Sequence, residues 1–326
     1  MIVLSSKDVS DILTPDIAKE LVAKALVAAS QGAANLPLRT AIDVGGNNRL
    51  GIMPGALPDA GCFGVKLISL FPDNPSKGFS SHSGIMVAFE SEHGQPTAIM
   101  DAGILTAIRT SAASAVATDL LARRDAASLL IVGTGEQAEF HLAAMLSVRA
   151  IKLVRIVGRS MERGEKFVSA MRHRYPELDI SAHQNVRDAA KGADLICTVT
   201  SSQDTVLQGD WVGSGCHVNA VGASIPAMRE IDEDLIAKSS LFVDYRPSAF
   251  AQAGDIIKAL ESGRITKSHI IGEIGEVLTN KSSGRRHDEE ITLFRSLGIA
   301  AQDLICANYA FETAMRREIG TRVSVT

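Results

Sequence analysis

Residues 128–145 read SLLIVGTGEQAEFHLAAM. The apolar run from Leu129 to Val132 predicts a short buried strand, and the residues after Gly135 have the spacing of a helix. Between them, Gly133-Thr134-Gly135-Glu136-Gln137-Ala138 has the G-x-G-x-x-A form of a dinucleotide fingerprint. Gly133 allows the tight turn, and Gly135 lets the backbone approach a pyrophosphate. Ala138 permits close packing of helix on strand, and the helix N-terminus, with Glu136 and Gln137 in its first turn, offers free N–H groups to an anion. Without a ligand the same glycines would make a plain strand–helix turn. The strand leading in, the helix leading out and a further apolar strand in RIVGRS favour the nucleotide.

Downstream the pattern repeats. LLIVG, VRIVGR, DLICTVT, HVNAVG and LFVDYR are short apolar runs that alternate with helical patterns at 161–174, 186–192 and 230–239. Unbroken apolar strands alternating with helices imply a doubly wound parallel sheet covered on both faces. Upstream, a helix is predicted from Thr14 to Gly32, with Pro15 in its first turn and Ile17, Leu21, Val22, Ala25, Leu26 and Ala29 on one face. PLRTAIDV, RLGIMPGAL, CFGVKLISLF, GIMVAFES and PTAIMDA then read as an antiparallel meander, punctuated by turns such as PDNPSKG and EHGQP. A small-residue-rich helix is expected over about 106–123, and the tail, 291–319, reads as helical. Because that tail leaves the strand–helix alternation, it is expected to return to the first lobe. The expected division is a lobe of residues 1–112, completed by about 291–326, and a dinucleotide-binding domain of residues 113–290.

Composition narrows the function classes. Of 326 residues, 46% are hydrophobic and 21% charged, which suits a globular protein with a substantial core. A net charge of −4 and pI near 6.1 argue against a nucleic-acid or membrane-surface binder. No unbroken apolar run reaches the roughly 18 residues of a membrane span, and MIVLSSKDVSD lacks a signal-peptide pattern. Cys62, Cys197, Cys216 and Cys306 are scattered, with no CxxC and no Cys/His cluster, so neither a disulfide framework nor a metal site is expected. A cytoplasmic protein is the default expectation.

The fingerprint raises the question of which dinucleotide it serves. A site for NAD normally places Asp or Glu roughly 20 residues after the turn, on the ribose 2′-hydroxyl. Here that position falls in Val157-Gly158-Arg159-Ser160, which holds no carboxylate. Arg159 can pair with a 2′-phosphate and Ser160 can donate to it, so NADP(H) is the expected cofactor, with NAD(H) as the alternative.

GVKLISLF, SHSGIMVAFE, MDAGILTAIRTSAASAVATDLLA, IVGTGEQA, NAVGASIPAMREID and GEIGEVLTNKSSGR…DEEITLFRSLGIA together resemble the ornithine cyclodeaminase/mu-crystallin family, over nearly the whole chain and in the same order. The resemblance implies a substrate-binding and dimerisation lobe completed by C-terminal helices, a Rossmann-type domain, and a homodimer. The family includes ornithine cyclodeaminases, some alanine dehydrogenases and reductases of cyclic ketimines.

By motif, Arg39 in PLRT, Lys66 in GVKL and Arg109 in IRT match the family's carboxylate-binding cations. The residues themselves agree in part. Lys66 interrupts an apolar strand and Arg109 sits in a small-residue helix, where an unpaired cation would be destabilising. Each should therefore meet an anion, whether a ligand or an internal partner such as Asp101 or Asp43. His82, in the pair Ser81-His82, matches a position beside the nicotinamide and substrate; alone it would read as a loop histidine. Ser81, Arg109, Thr110, Thr198, Thr200, Val221 and Ser296 match cofactor contacts, although Val221 reads as strand core and the hydroxyls as local caps.

Ornithine cyclodeaminases carry an aspartate where this chain has Ser224, and serine cannot hold a proton equilibrium near neutral pH. GAS-x-P…REID instead resembles the mu-crystallin and ketimine-reductase branch. The expected function is NADPH-dependent reduction of a small cyclic imino acid, Δ1-pyrroline-2-carboxylate to L-proline, with the six-membered homologue also a candidate. Ornithine cyclodeamination, an alanine-type dehydrogenase and a non-enzymatic NADPH-dependent binding protein are the alternatives. Lys66, His82 or an ordered water is expected to keep the imine nitrogen protonated.

Overall fold

The computed structural model describes residues 1–324. In chain order the elements are β1 (Ile2–Leu4), α1 (Ser6–Ile12), α2 (Pro15–Ser30), β2 (Thr40–Gly45), β3 (Asn48–Leu57), β4 (Cys62–Leu70), β5 (His82–Glu90), β6 (Pro96–Asp101) and α3 (Ala102–Leu121). They continue as β7 (Ser128–Val132), α4 (Glu136–Val148), β8 (Leu153–Val157), α5 (Met161–Arg174), β9 (Asp179–His183), α6 (Val186–Ala190), β10 (Leu195–Thr198), β11 (His217–Ala220) and α7 (Glu233–Lys238). The last are β12 (Ser240–Val243), α8 (Arg246–Gln252), α9 (Gly254–Glu261), β13 (Ile270–Glu273), α10 (Ile274–Leu278), β14 (Thr292–Arg295), α11 (Ala300–Arg317) and β15 (Thr321–Arg322).

The chain divides into two compact units, one of Met1–Arg109 with the segment from Gly298 onward, the other of Thr110–Leu297. In the first, the sheet order is β15-β1-β6-β5-β4-β3-β2. The run β2 to β6 is the antiparallel meander the turns predicted, but β1 joins β6 in parallel, so the sheet is mixed. Helix α11 lies against this sheet: a Cβ built on Gly55 of β3 would sit 2.8 Å from that of Ala300. Small residues let helix and sheet approach this closely.

In the second unit the parallel order is β13-β12-β14-β11-β10-β7-β8-β9. The strands β7, β10, β11, β12 and β14 are buried along nearly their whole length, as expected of a sheet covered on both faces. The chain runs from β7 to β8 and β9 on one side, then returns to β10 on the other. That reversal is a topological switch point, where doubly wound sheets bind ligands beyond the strand C-termini.

One expectation is corrected. The tail is not helical from residue 291: Thr292–Arg295 is the buried strand β14, between β11 and β12, and the helix begins only at Ala300. Residues 325–326 of the expected lobe lie outside the described residues. Helix α3 has the length and composition to cross a membrane despite the absence of an unbroken apolar run, and 78% of its apolar window is buried inside the protein.

Candidate functional site

Strand β4 alternates, with Cys62, Gly64, Lys66 and Ile68 on its buried face. The period of two therefore turns a lysine into the core, where it needs a partner. Lys66 Nζ donates to Asp303 Oδ1 at 2.9 Å and to Thr106 Oγ1 at 3.1 Å. Arg109, from α3, donates through Nε to the same Asp303 oxygen at 3.0 Å and through Nη1 to Gln302 Oε1 at 3.2 Å. Its guanidinium lies against Gly298, where a Cβ would come within 2.1 Å of Nη1, so only glycine fits.

Asp303 comes from the buried stripe of α11 that also carries Ala300, Leu304, Ala307, Ala310 and Ala314. Burial raises its pKa, but Arg109 and then Lys66 overcome that effect and hold the carboxyl below the usual range. Burial, then Arg109, push Lys66 down to about 7 against the opposing pull of Asp303; Arg39 lowers it further by a smaller effect. Two buried cations share one carboxylate, so the charges within the trio do not balance. The internal partner is thus Asp303, not Asp101 or Asp43. Asp101 caps the start of α3 by accepting from Ile104 N at 2.8 Å. His82 begins β5, with Nδ1 2.8 Å from Ser81 Oγ. Its ring reaches solvent, yet the surrounding protein and then Lys66 lower its pKa.

In the second unit, Gly133 follows β7 at φ +123°, and a Cβ there would collide with Val199 O at 2.8 Å. Gly135 is the N-cap of α4, has no side-chain cap, and has no atom within 4 Å of its missing Cβ. This leaves open space over the helix N-terminus, where a pyrophosphate is expected to lie. Glu136 is exposed, and Ala138 is fully buried against the strands. Gly158, after β8, faces Thr134, whose Cγ2 would be 2.9 Å from an added Cβ. Arg159 is exposed and makes no hydrogen bond or ion pair to the described residues. Ser160 caps α5 by accepting from Arg163 N at 3.4 Å. Gln137 Oε1 and Ser296 Oγ are buried without hydrogen-bond partners among the described residues. An open glycine cap and an exposed arginine after adjacent strands, in a unit that also holds such unmatched polar atoms, fit a bound dinucleotide.

Thr110 is buried on α3, Val221 is core, and Ser224 is half-buried. Thr198 is fully buried, and its hydroxyl donates to Glu230, as does that of Thr200. Asp303 and Glu230 were not anticipated. Their only trace in the sequence is an acid inside an apolar helix (QDLICA) and another in REID. The four cysteines are free and buried.

The model of the ornithine cyclodeaminase/mu-crystallin family matches residues 1–318, and the chain belongs to that family. It is 31% identical over 325 residues to the Δ1-pyrroline-2-carboxylate reductase of Bacillus cereus, covering 99% of each chain. It is 34% identical over 278 residues to the ketimine reductase mu-crystallin of Mus musculus, covering 85% of this chain and 84% of that one. The solved structure of Thermococcus litoralis Δ1-pyrroline-2-carboxylate reductase, in complex with NADH and L-proline, has a TM-score of 0.95 to this chain at 34% identity. The match covers 99% of this chain and 100% of that one.

Proposed function

We propose that this chain is a cytoplasmic, homodimeric oxidoreductase that uses a nicotinamide dinucleotide, preferably NADPH, to reduce a cyclic ketimine. The substrate is Δ1-pyrroline-2-carboxylate, giving L-proline, with Δ1-piperideine-2-carboxylate to L-pipecolate as a second reaction. The observation that carries this reading is the buried pair Lys66 and Arg109 sharing the single carboxylate of Asp303. A buried net cation is destabilising unless a ligand anion completes it. Arg39, Lys66 and Arg109 would grip the substrate carboxylate and so fix the orientation of the imine. Its likeness to the Thermococcus litoralis enzyme, solved with NADH and L-proline, supports the reading.

When bound, the reduced nicotinamide supplies the hydride. The turn at Gly133 and Gly135 would hold its pyrophosphate, and Arg159 with Ser160 a 2′-phosphate. The chain's own chemistry is proton supply. With its pKa near 7, Lys66 can give a proton to the ring nitrogen and regain it from solvent at neutral pH, which suits a general acid. The lowered pKa of His82 favours its neutral ring, making it the weaker candidate. Ser224 has no such equilibrium and supports reduction over release of ammonia.

The test is a substrate panel followed by cofactor absorbance and ammonia release. Both cyclic imines should oxidise NADPH, and L-ornithine with NAD⁺ or NADP⁺ should release little ammonia. Ornithine turnover comparable to that of the imine would return the chain to the cyclodeaminases. Turnover only of a linear 2-oxo acid with ammonia would make it an alanine-type dehydrogenase. Ligand binding without oxidation would make it a binding protein.

A further inference from the structure

The carboxylate of Glu230 is fully buried and accepts hydrogen bonds from two loops at once. Thr198 Oγ1 donates at 2.9 Å, Thr200 through N at 2.6 Å and Oγ1 at 2.7 Å, Gly222 N at 2.6 Å and Ala223 N at 3.3 Å. These donors end or follow β10 and β11, which pair in parallel, so one side chain ties together the C-terminal ends of neighbouring strands. Gly222 shows how tightly. A Cβ there would lie 2.0 Å from Thr200 O and 2.7 Å from Glu230 Oε1, so any side chain would force the loops apart.

The carbonyl side of the same loop is held independently. Arg295, anchored through Nε on Asp255 at 2.7 Å, donates from Nη1 to Ala220 O at 3.0 Å and from Nη2 to Ala223 O. Segment 220–223 therefore has amides held by an acid and carbonyls held by a base, and Ser224 is the next residue. Such a double restraint exceeds what a turn needs to fold. It suits a loop that must present its backbone to a ligand at a fixed distance.

We infer that Glu230 is a positioning residue for the nicotinamide half of the cofactor, holding the loops after β10 and β11 at a fixed separation. The inference rests on the nicotinamide-cofactor reading above. The fingerprint turn and Arg159 follow β7 and β8, whereas Glu230 acts at β10 and β11, across the switch point. In doubly wound sheets the two halves of a dinucleotide lie on opposite sides of that point. Loss of Glu230 should thus be felt by the nicotinamide end and not by the adenosine end.

The experiment compares full-length wild type and Glu230→Gln by calorimetric titration with NADH and with ADP-ribose, which lacks nicotinamide. The amide turns an NH2 group toward backbone or hydroxyl donors that need an acceptor. The Kd for NADH should rise roughly tenfold to a hundredfold. That for ADP-ribose should stay within about twofold, as for distant independent sites. Equal weakening of both ligands, or unchanged NADH affinity, overturns the inference. Should that variant fail to fold, Thr198→Val, a buried near-isostere, removes one donor. It should give the same split at about severalfold, and equal weakening or no change again overturns it. Wild-type turnover of the imine tests the proposed function, while the split tests Glu230, so the two can fail separately.

Discussion

Each unit buries an arginine on an aspartate, and the two pairs are built to different ends. In the second unit, Arg295 meets Asp255 one to one, and its remaining nitrogens are taken up by the carbonyls of Ala220, Ala223 and Ser296. The charges balance one to one and every donor nitrogen has a partner, although Asp255 Oδ2, like Asp303 Oδ2, accepts no hydrogen bond among the described residues. In the first unit, Asp303 must serve both Arg109 and Lys66. There two buried cations draw on one carboxylate, and the charges within that trio do not balance. Burial alone does not separate structure from function, because both arginines are buried. The difference is whether the protein supplies all the counter-charge or leaves some for a ligand.

That contrast can be broken by mutation. Arg295→Met leaves Asp255 buried without its cation, which should destabilise the fold by about 3–5 kcal/mol, read as a lower Tm and denaturation midpoint. Arg109→Met leaves Lys66 and Asp303 as a neutral pair. It should therefore reduce kcat/KM for the cyclic imino acid by about a hundredfold or more while retaining cofactor binding and most of the stability. If the two variants behaved alike, both losing stability or both losing only activity, the distinction between a one-to-one pair and a shared carboxylate would fall. A smaller effect belongs to Arg159. Removing the exposed guanidinium in Arg159→Ala should raise the KM for NADPH by roughly tenfold to a hundredfold and scarcely change that for NADH. A wild type that prefers NADH would remove the 2′-phosphate from the proposal.

The two units also differ in how legible they were in sequence. The turn after β7 announces itself locally, since Gly133, Gly135 and Ala138 act within one strand–helix step. The antiparallel strands were equally plain, because alternation and turn residues are local signals. Strand β14 was missed for the opposite reason. Its four residues follow no adjacent strand–helix repeat, and its neighbours β11 and β12 begin 75 and 52 residues earlier. Asp303 was missed because its meaning lies in contacts with Lys66, 237 residues away, and Arg109, 194 away. Lys66 and Arg109 were legible as cations in apolar surroundings that needed an anion. Which anion, and that one would be shared, only the fold decides. Thr198 and Thr200 show the same limit: hydroxyls expected to contact the cofactor also donate to a buried acid, Glu230, that the sequence did not single out.

The most direct test of the central claim leaves the protein unmutated. Δ1-Pyrroline-2-carboxylate and Δ1-pyrroline differ only in the carboxylate that the Lys66–Arg109–Asp303 cluster is argued to need, and both present the same ring C=N bond. Steady-state reduction of each with saturating NADPH gives the ratio of kcat/KM. Charge-assisted hydrogen bonds from two cations should make the carboxylate-bearing imine better by about 10²–10⁴-fold. Comparable values for the two imines would contradict the account and leave the buried cations of the first unit as a structural feature.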